Sequence, residues 1–209
     1  MATEILWNTP DSYTATFLFA HGAGAGMENG WMTDFAERLA GHGIRVARFE
    51  FAYMAARRQG LRKPPPRAET LVGEFRDAVA TVGGERLFIG GKSMGGRVAS
   101  MVADELFEAG SIAGLVCLGY PFHPPGTPDK LRTRHLLQLK TPTLICQGTR
   151  DQFGTIEEVP GYGLSSAIEV HWLDDGEHGF KPRVKISGRT NEQNLAEAAA
   201  AVASFVANA

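Results

Sequence analysis

One hexapeptide, Gly91-Lys92-Ser93-Met94-Gly95-Gly96, lies between an apolar run ending at Gly90 and a helical pattern from Arg97 to Phe107. A serine held at a sharp strand-to-helix turn needs glycines around it, because the strained backbone and the packed helix leave no space for Cβ atoms. The G-x-S-x-G spacing in that context is a nucleophile elbow, and a nucleophilic serine needs a base that is itself oriented by an acid. Downstream, the run PTLICQG is followed by Asp151, and EVHWLDD by Gly176-Glu177-His178-Gly179-Phe180. The order Ser93, Asp151, His178 is the one expected for a serine on such an elbow. A fourth segment, His21-Gly22-Ala23-Gly24-Ala25-Gly26, follows the run ATFLFA. Acyl transfer needs N–H donors aimed at the developing oxyanion. The backbone N–H of Ala23, with Gly24 second, and that of Met94 are the candidates.

Other chemistries fit less well. Gly91-Lys92-Ser93 also ends the phosphate-binding pattern G-x-x-x-x-G-K-[ST], but that pattern needs glycine at position 86, where the chain has Arg86 before strand residues. Asp174 and Asp175 end a strand and are rival acids to Asp151. His171 lies within an alternating strand, His42 beside a helix-ending glycine, and His21 in a position that shapes a turn, so none of the three is read as the base. No H-E-x-x-H and no paired cysteine spacing occurs, so neither a metal nor another cofactor is expected. Cys117 and Cys146 both fall in apolar runs and read as buried free thiols.

The elements that must position these residues follow from hydropathy. Apolar runs of strand length alternate with longer segments of helical period, as in βαβ units, and runs such as LFIGG and LVCLG are apolar on both faces, as in a parallel sheet covered by helices. In that arrangement Ser93, Asp151 and His178 all stand at carboxyl ends of strands, where open α/β sheets bind ligands. The 209 residues suit one domain, 1–209, with no insertion long enough to form a lid. Residues 54–67, with five basic residues and three consecutive prolines, read as an extended mobile loop, and 120–135 as a second irregular segment. A net charge of −2 disfavours nucleic acid and anionic membrane as partners. The N-terminal stretch carries Glu4 and no following apolar region. No apolar run is long enough to form a membrane-spanning helix. A cytoplasmic location is expected. The loops at the carboxyl edge (52–67, 119–135, 148–160, 174–190) hold 13 basic and 7 acidic residues, a rim of +6. Tyr53, Arg57, Arg58 and Phe122 are candidate substrate-rim residues, with Arg62 and Lys63 adding to the charge.

With these motifs the chain resembles the α/β-hydrolase superfamily over roughly residues 14–207, and within it the small lidless members described as dienelactone-hydrolase-like. It resembles in particular the branch that includes the hydrolase-like domain of a chromatin-associated acetyltransferase-complex subunit, where G-[KR]-S-M-G, a proline-rich Y-P-F segment and G-x-x-D recur. The resemblance implies a Ser-Asp-His triad at Ser93, Asp151 and His178. Dienelactone hydrolases proper carry cysteine as nucleophile, whereas this chain has Ser93. The function expected is a serine hydrolase, of the carboxylesterase type, acting on esters or thioesters of small acyl compounds. The alternative is an interaction scaffold that keeps the fold without turnover. The natural substrate and the oligomeric state are left open.

Overall fold

A computed structural model describes residues 4–61 and 64–209. Among these, one seven-stranded sheet has the order β1-β3-β2-β4-β5-β6-β7, with β1 (Ile5–Asn8) antiparallel to β3 (Ile44–Phe49). The other strands, β2 (Ala15–Ala20), β4 (Leu87–Lys92), β5 (Gly114–Leu118), β6 (Thr143–Gly148) and β7 (Ile168–Leu173), are all parallel. Strands β2, β5 and β6 are buried along their whole length and β4 in all but Lys92, which is why their sequences run apolar without alternation.

Helices cover both faces. On one side α1 (Gly30–Gly41) and α7 (Asn191–Asn208) enclose Phe17, Phe19, Phe35, Phe88 and Val202. On the other, α2 (Ala52–Arg58), α3 (Val72–Val82), α4 (Met94–Ser100) and α5 (Ala103–Glu108) enclose Leu18, Phe49, Phe75, Ile89 and Tyr120. A short α6 (Val184–Ser187) precedes α7. Helix α1 starts where the Asn29 side chain accepts from Met32 N–H, and it buries Met32, Phe35, Ala36 and Leu39. It ends just before Gly43, whose positive φ lets the chain turn away. Helix α7 opens on a capping box between Thr190 and Gln193.

Three differences from the sequence-based expectation have physical causes. Strand β1 is short and half-exposed at the sheet edge, too brief to register as a period. Residues 52–58 are helical rather than loop: Tyr53 and Met54 dock on the core, and Arg57 and Arg58 in the last turn suit the helix dipole. Arg62 and Lys63 lie outside the described residues. The pattern from Arg97 to Phe107 contains two helices, not one. The Met101 and Val102 N–H groups bond three residues back, to Val98 and Ala99, tightening the chain between α4 and α5 while the same face stays buried.

Candidate active site

The strand order reverses between β2 and β4: the chain runs from β2 outward to β3, then returns to the far side of β2. That switch point opens a crevice at the carboxyl ends of the two strands. Their register pairs Ala20 with Gly91, so the turn after β2 and the elbow after β4 face each other.

Ser93 has a positive φ, a strained conformation for a residue with a Cβ. The surrounding structure imposes it. Ser93 N–H donates to the Leu118 carbonyl of β5 at 3.0 Å. A Cβ on Gly91 would lie 2.5 Å from the Ala20 carbonyl oxygen, and one on Gly96 2.7 Å from that of Gly91. The elbow therefore fits only because glycine occupies these places.

Ser93 Oγ is 2.9 Å from His178 Nε2, and His178 Nδ1 is 2.8 Å from Asp151 Oδ2. Asp151 is fully buried, and its other contacts are donors: Phe153 N–H to Oδ1 at 2.9 Å and Gln147 Nε2 to Oδ2 at 3.0 Å. A carboxylate so held keeps His178 in the tautomer with Nδ1 protonated and Nε2 free to accept from the serine. Burial holds His178 below the ordinary histidine value, with the hydrogen bond to Asp151 opposing it and the nearby Lys92 charge adding to it. Lys92 Nζ donates to the His178 carbonyl at 2.6 Å and sits 5.5 Å from the Trp31 ring, and desolvation pulls its ammonium down to about 8. The Phe153 ring lies 4.3 Å from the imidazole.

The turn after β2 is pinned from behind. His21 Nδ1 donates to the Gly22 carbonyl at 2.6 Å, and His21 Nε2 accepts from Phe51 N–H at 3.1 Å, so the ring is neutral; its burial lowers its pKa to about 4. Tyr53 Oη donates to the Ala23 carbonyl at 3.1 Å. In a trans peptide the C=O and the next N–H point opposite ways. Fixing the Gly22 carbonyl against His21 therefore turns the Ala23 N–H away from that ring. Met94 is the first residue of α4, where an N–H has no intrahelical acceptor.

Two clefts share Ala23, Ser93 and Phe153. One, of about 380 Å³, is lined by Gly22, Gly24, Trp31, Met32, Lys92 and His178. The other, of about 290 Å³, is lined by Met94, Pro65, Pro66, Arg67, Arg97 and Arg132, with Glu69.

The rim residues fall elsewhere. Phe122 is fully buried, its ring 4.9 Å from that of Tyr120, because a well-packed apolar ring gains more inside than on the rim. Tyr53 is 7% exposed and buttresses the turn. Arg58 is paired with Glu4, Glu28 and Glu50, Arg57 lies over the Tyr53 ring, and neither lines the two clefts. Asp175 is held by Arg150 and Arg183 away from the histidine ring, its carboxyl drawn down to about 2, chiefly by Arg183. His171, on the edge strand β7, pairs with Glu197 of α7, and both cysteines are buried and free. Sequence reasoning missed Gln147, Phe153, Trp31 and Arg97. The first could have been noticed as a lone amide ending the apolar run PTLIC.

Comparison with known proteins agrees with this architecture. An α-β serine hydrolase homologue from Coxiella burnetii aligns with 21% identity and a TM-score of 0.65, over 99% of this chain and 91% of that one. A dienelactone hydrolase from Anabaena variabilis aligns at 18% and 0.72, again over 99% and 91%. A serine hydrolase without lid from Xanthomonas campestris aligns at 16% and 0.67, over 99% and 88%. At these identities the likeness is one of fold. A family model described as "Alpha/beta hydrolase domain" matches residues 13–207, nearly the whole chain, and the chain belongs to that family.

Proposed function

We propose that the protein is a serine hydrolase that cleaves esters or thioesters of small acyl compounds through an acyl-enzyme. The observation that carries this reading is the unbroken relay from Ser93 Oγ to His178 to Asp151, at 2.9 and 2.8 Å. Ser93 Oγ attacks the acyl carbon while His178 Nε2 takes its proton, and Asp151 stabilises the imidazolium that forms. The Ala23 and Met94 N–H groups, with Gly24 beside them, receive the oxyanion. His178 returns its proton to the departing alcohol or thiol. A water then attacks the acyl-enzyme with His178 again as base, releasing the acid and restoring Ser93. No cofactor enters these steps. The two clefts beside Ser93 are small and suit short groups on either side of the scissile bond.

The test is labelling with a fluorophosphonate together with a series of p-nitrophenyl esters of graded acyl length. Parent protein should be labelled at Ser93 and should prefer short acyl chains. Ser93→Ala should lose labelling and about 10⁴-fold or more of the rate, with thermal stability nearly unchanged. An alanine variant keeping more than about a tenth of the activity would remove Ser93 as nucleophile. A folded parent with neither labelling nor turnover would favour the scaffold alternative.

A further inference from the structure

The two clefts beside Ser93 differ in charge. His178, which must protonate the leaving group, lines the cleft with Trp31 and Met32, so the departing alcohol or thiol belongs there. The acyl group then occupies the other cleft, whose wall carries Arg67, Arg97 and Arg132 against a single carboxylate, Glu69. Arg97 stands one helical turn after Ser93, its N–H bonded to the Ser93 carbonyl at 3.1 Å. Its Nη2 donates to Glu69 at 2.5 Å, while its Nε is buried with no hydrogen-bond partner among the described residues. Arg132 is held in place by its backbone: its N–H donates to Phe122 O at 2.7 Å and its carbonyl accepts from Tyr120 Oη. Among the described residues its guanidinium has no hydrogen-bond or ion-pair partner, and partial burial and the neighbouring Arg97 charge both work against its own. Three arginines on one cleft wall, with one carboxylate among them and the Arg132 guanidinium unpaired, match an anion that a guanidinium can hold in bidentate fashion.

Resting on the hydrolase reading, we propose that the acyl group carries a second carboxylate, bound by Arg132 and Arg97: the substrates are monoesters or monothioesters of short dicarboxylic acids with an apolar alcohol or thiol. The scissile C–O or C–S bond breaks with transfer of the acyl carbon to Ser93 Oγ, and the proton from Ser93 leaves with the alcohol or thiol through His178. Water then supplies the hydroxyl of the new carboxyl group, and the free dicarboxylic acid departs. Because the distal carboxylate stays in its cleft while the acyl group is on Ser93, Arg132 acts in both half-reactions.

The experiment compares kcat/KM for the p-nitrophenyl monoester of glutaric acid with that for p-nitrophenyl pentanoate, in parent protein, Arg132→Gln, Arg132→Lys and the surface control Arg76→Gln, whose side chain pairs with Glu105. The parent should favour the anionic ester by about tenfold or more, and the preference should shrink as salt rises. Arg132→Gln should abolish that preference, Arg132→Lys should keep part of it, and Arg76→Gln should keep all of it. A parent that cleaves both esters without preference, or a preference that Arg132→Gln leaves intact, overturns the proposal. So does a parent that instead favours 4-carboxyphenyl pentanoate, whose charge lies on the leaving group, over phenyl pentanoate. Glutarate itself provides a readout independent of turnover. It should raise the Tm of the parent and not of Arg132→Gln, even if no ester is cleaved, in which case the hydrolase reading fails and the subsite stands. Absence of both the kinetic preference and the Tm shift overturns the subsite.

Discussion

A histidine serves as base only while its ring is neutral, so the environment of His178 fixes the acid side of the pH profile. Burial, assisted by Lys92 and opposed by Asp151, lowers its pKa below the ordinary 6.5. A lowered value means that the neutral, accepting form predominates at pH 6.5 and is lost only as pH falls through the shifted pKa. For a neutral ester, kcat/KM should therefore rise with pH through one group with a midpoint below 6.5 and be near its plateau at neutrality. An acid limb centred above neutrality would contradict this account of the site. At the same scale lies the limit of sequence reading. Ser93, Asp151 and His178 stand out by type and by position after apolar runs, and the structure brings them within hydrogen-bond reach. Gln147 and Phe153 act only through neighbours that folding brings to them, the Asp151 carboxylate and the His178 ring. Arg58, prominent in a basic run, is occupied by three glutamates, two of them from distant segments. Charge counted along the chain does not reveal which charges are already paired.

The elbow is an element built from absent side chains. A Cβ on Gly95 would lie 2.6 Å from the Ala20 carbonyl oxygen and 2.7 Å from that of His21, both backbone atoms of the strand and turn that lead to Ala23, one of the two proposed oxyanion donors. Backbone cannot swing aside as a flexible side chain can. Gly95→Ala should therefore cost about 1–3 kcal/mol or more through overpacking and push β2 away from α4. The second effect draws the Ala23 N–H away from Ser93 and from the Met94 N–H, so kcat should fall further than the stability loss alone explains. Chemical denaturation and steady-state kinetics on the same variant test both parts, and a stable, fully active Gly95→Ala would show that the close packing is not required. These elements were legible because glycine spacing and continuous apolar runs are local signals. The two helices from Met94 to Glu108 were not separable, since Val98, Ala99, Val102 and Ala103 stay buried across the break. Helix α2 was hidden by the proline-rich stretch after it, although Tyr53 and Met54 anchor it to the core.

Across the whole molecule, the proposed acid and base follow β6 and β7, three and four places along the sheet from β2, which leads into the proposed oxyanion turn, and the C-terminal helix α7 spans both β6 and β7 from one face. Its connection to the base is specific. Asn194, fully buried on α7, donates through Nδ2 to the Phe180 carbonyl at 2.8 Å and to the Asp174 carbonyl at 3.0 Å, one acceptor on each side of His178. Phe180 itself has a positive φ, a conformation the loop keeps only while something outside it holds the backbone. Asn194→Ala leaves two carbonyls without that donor. It should lower stability by about 1–3 kcal/mol, a fall in Tm of about 2–12 °C for a chain of this size. It should also lower kcat by about tenfold, because a base displaced by a fraction of an ångström loses its alignment with the serine. Leu195→Ala, on the same helix and 2% exposed, creates a cavity costing about 2–5 kcal/mol while leaving the Asn194 hydrogen bonds to the Asp174 and Phe180 carbonyls in place. The pair separates tethering from stability: at a temperature where both variants are folded, Asn194→Ala should be the slower enzyme even if Leu195→Ala is the less stable protein. Equal kcat values for the two would mean that α7 supports the sheet as a whole and does not position the base.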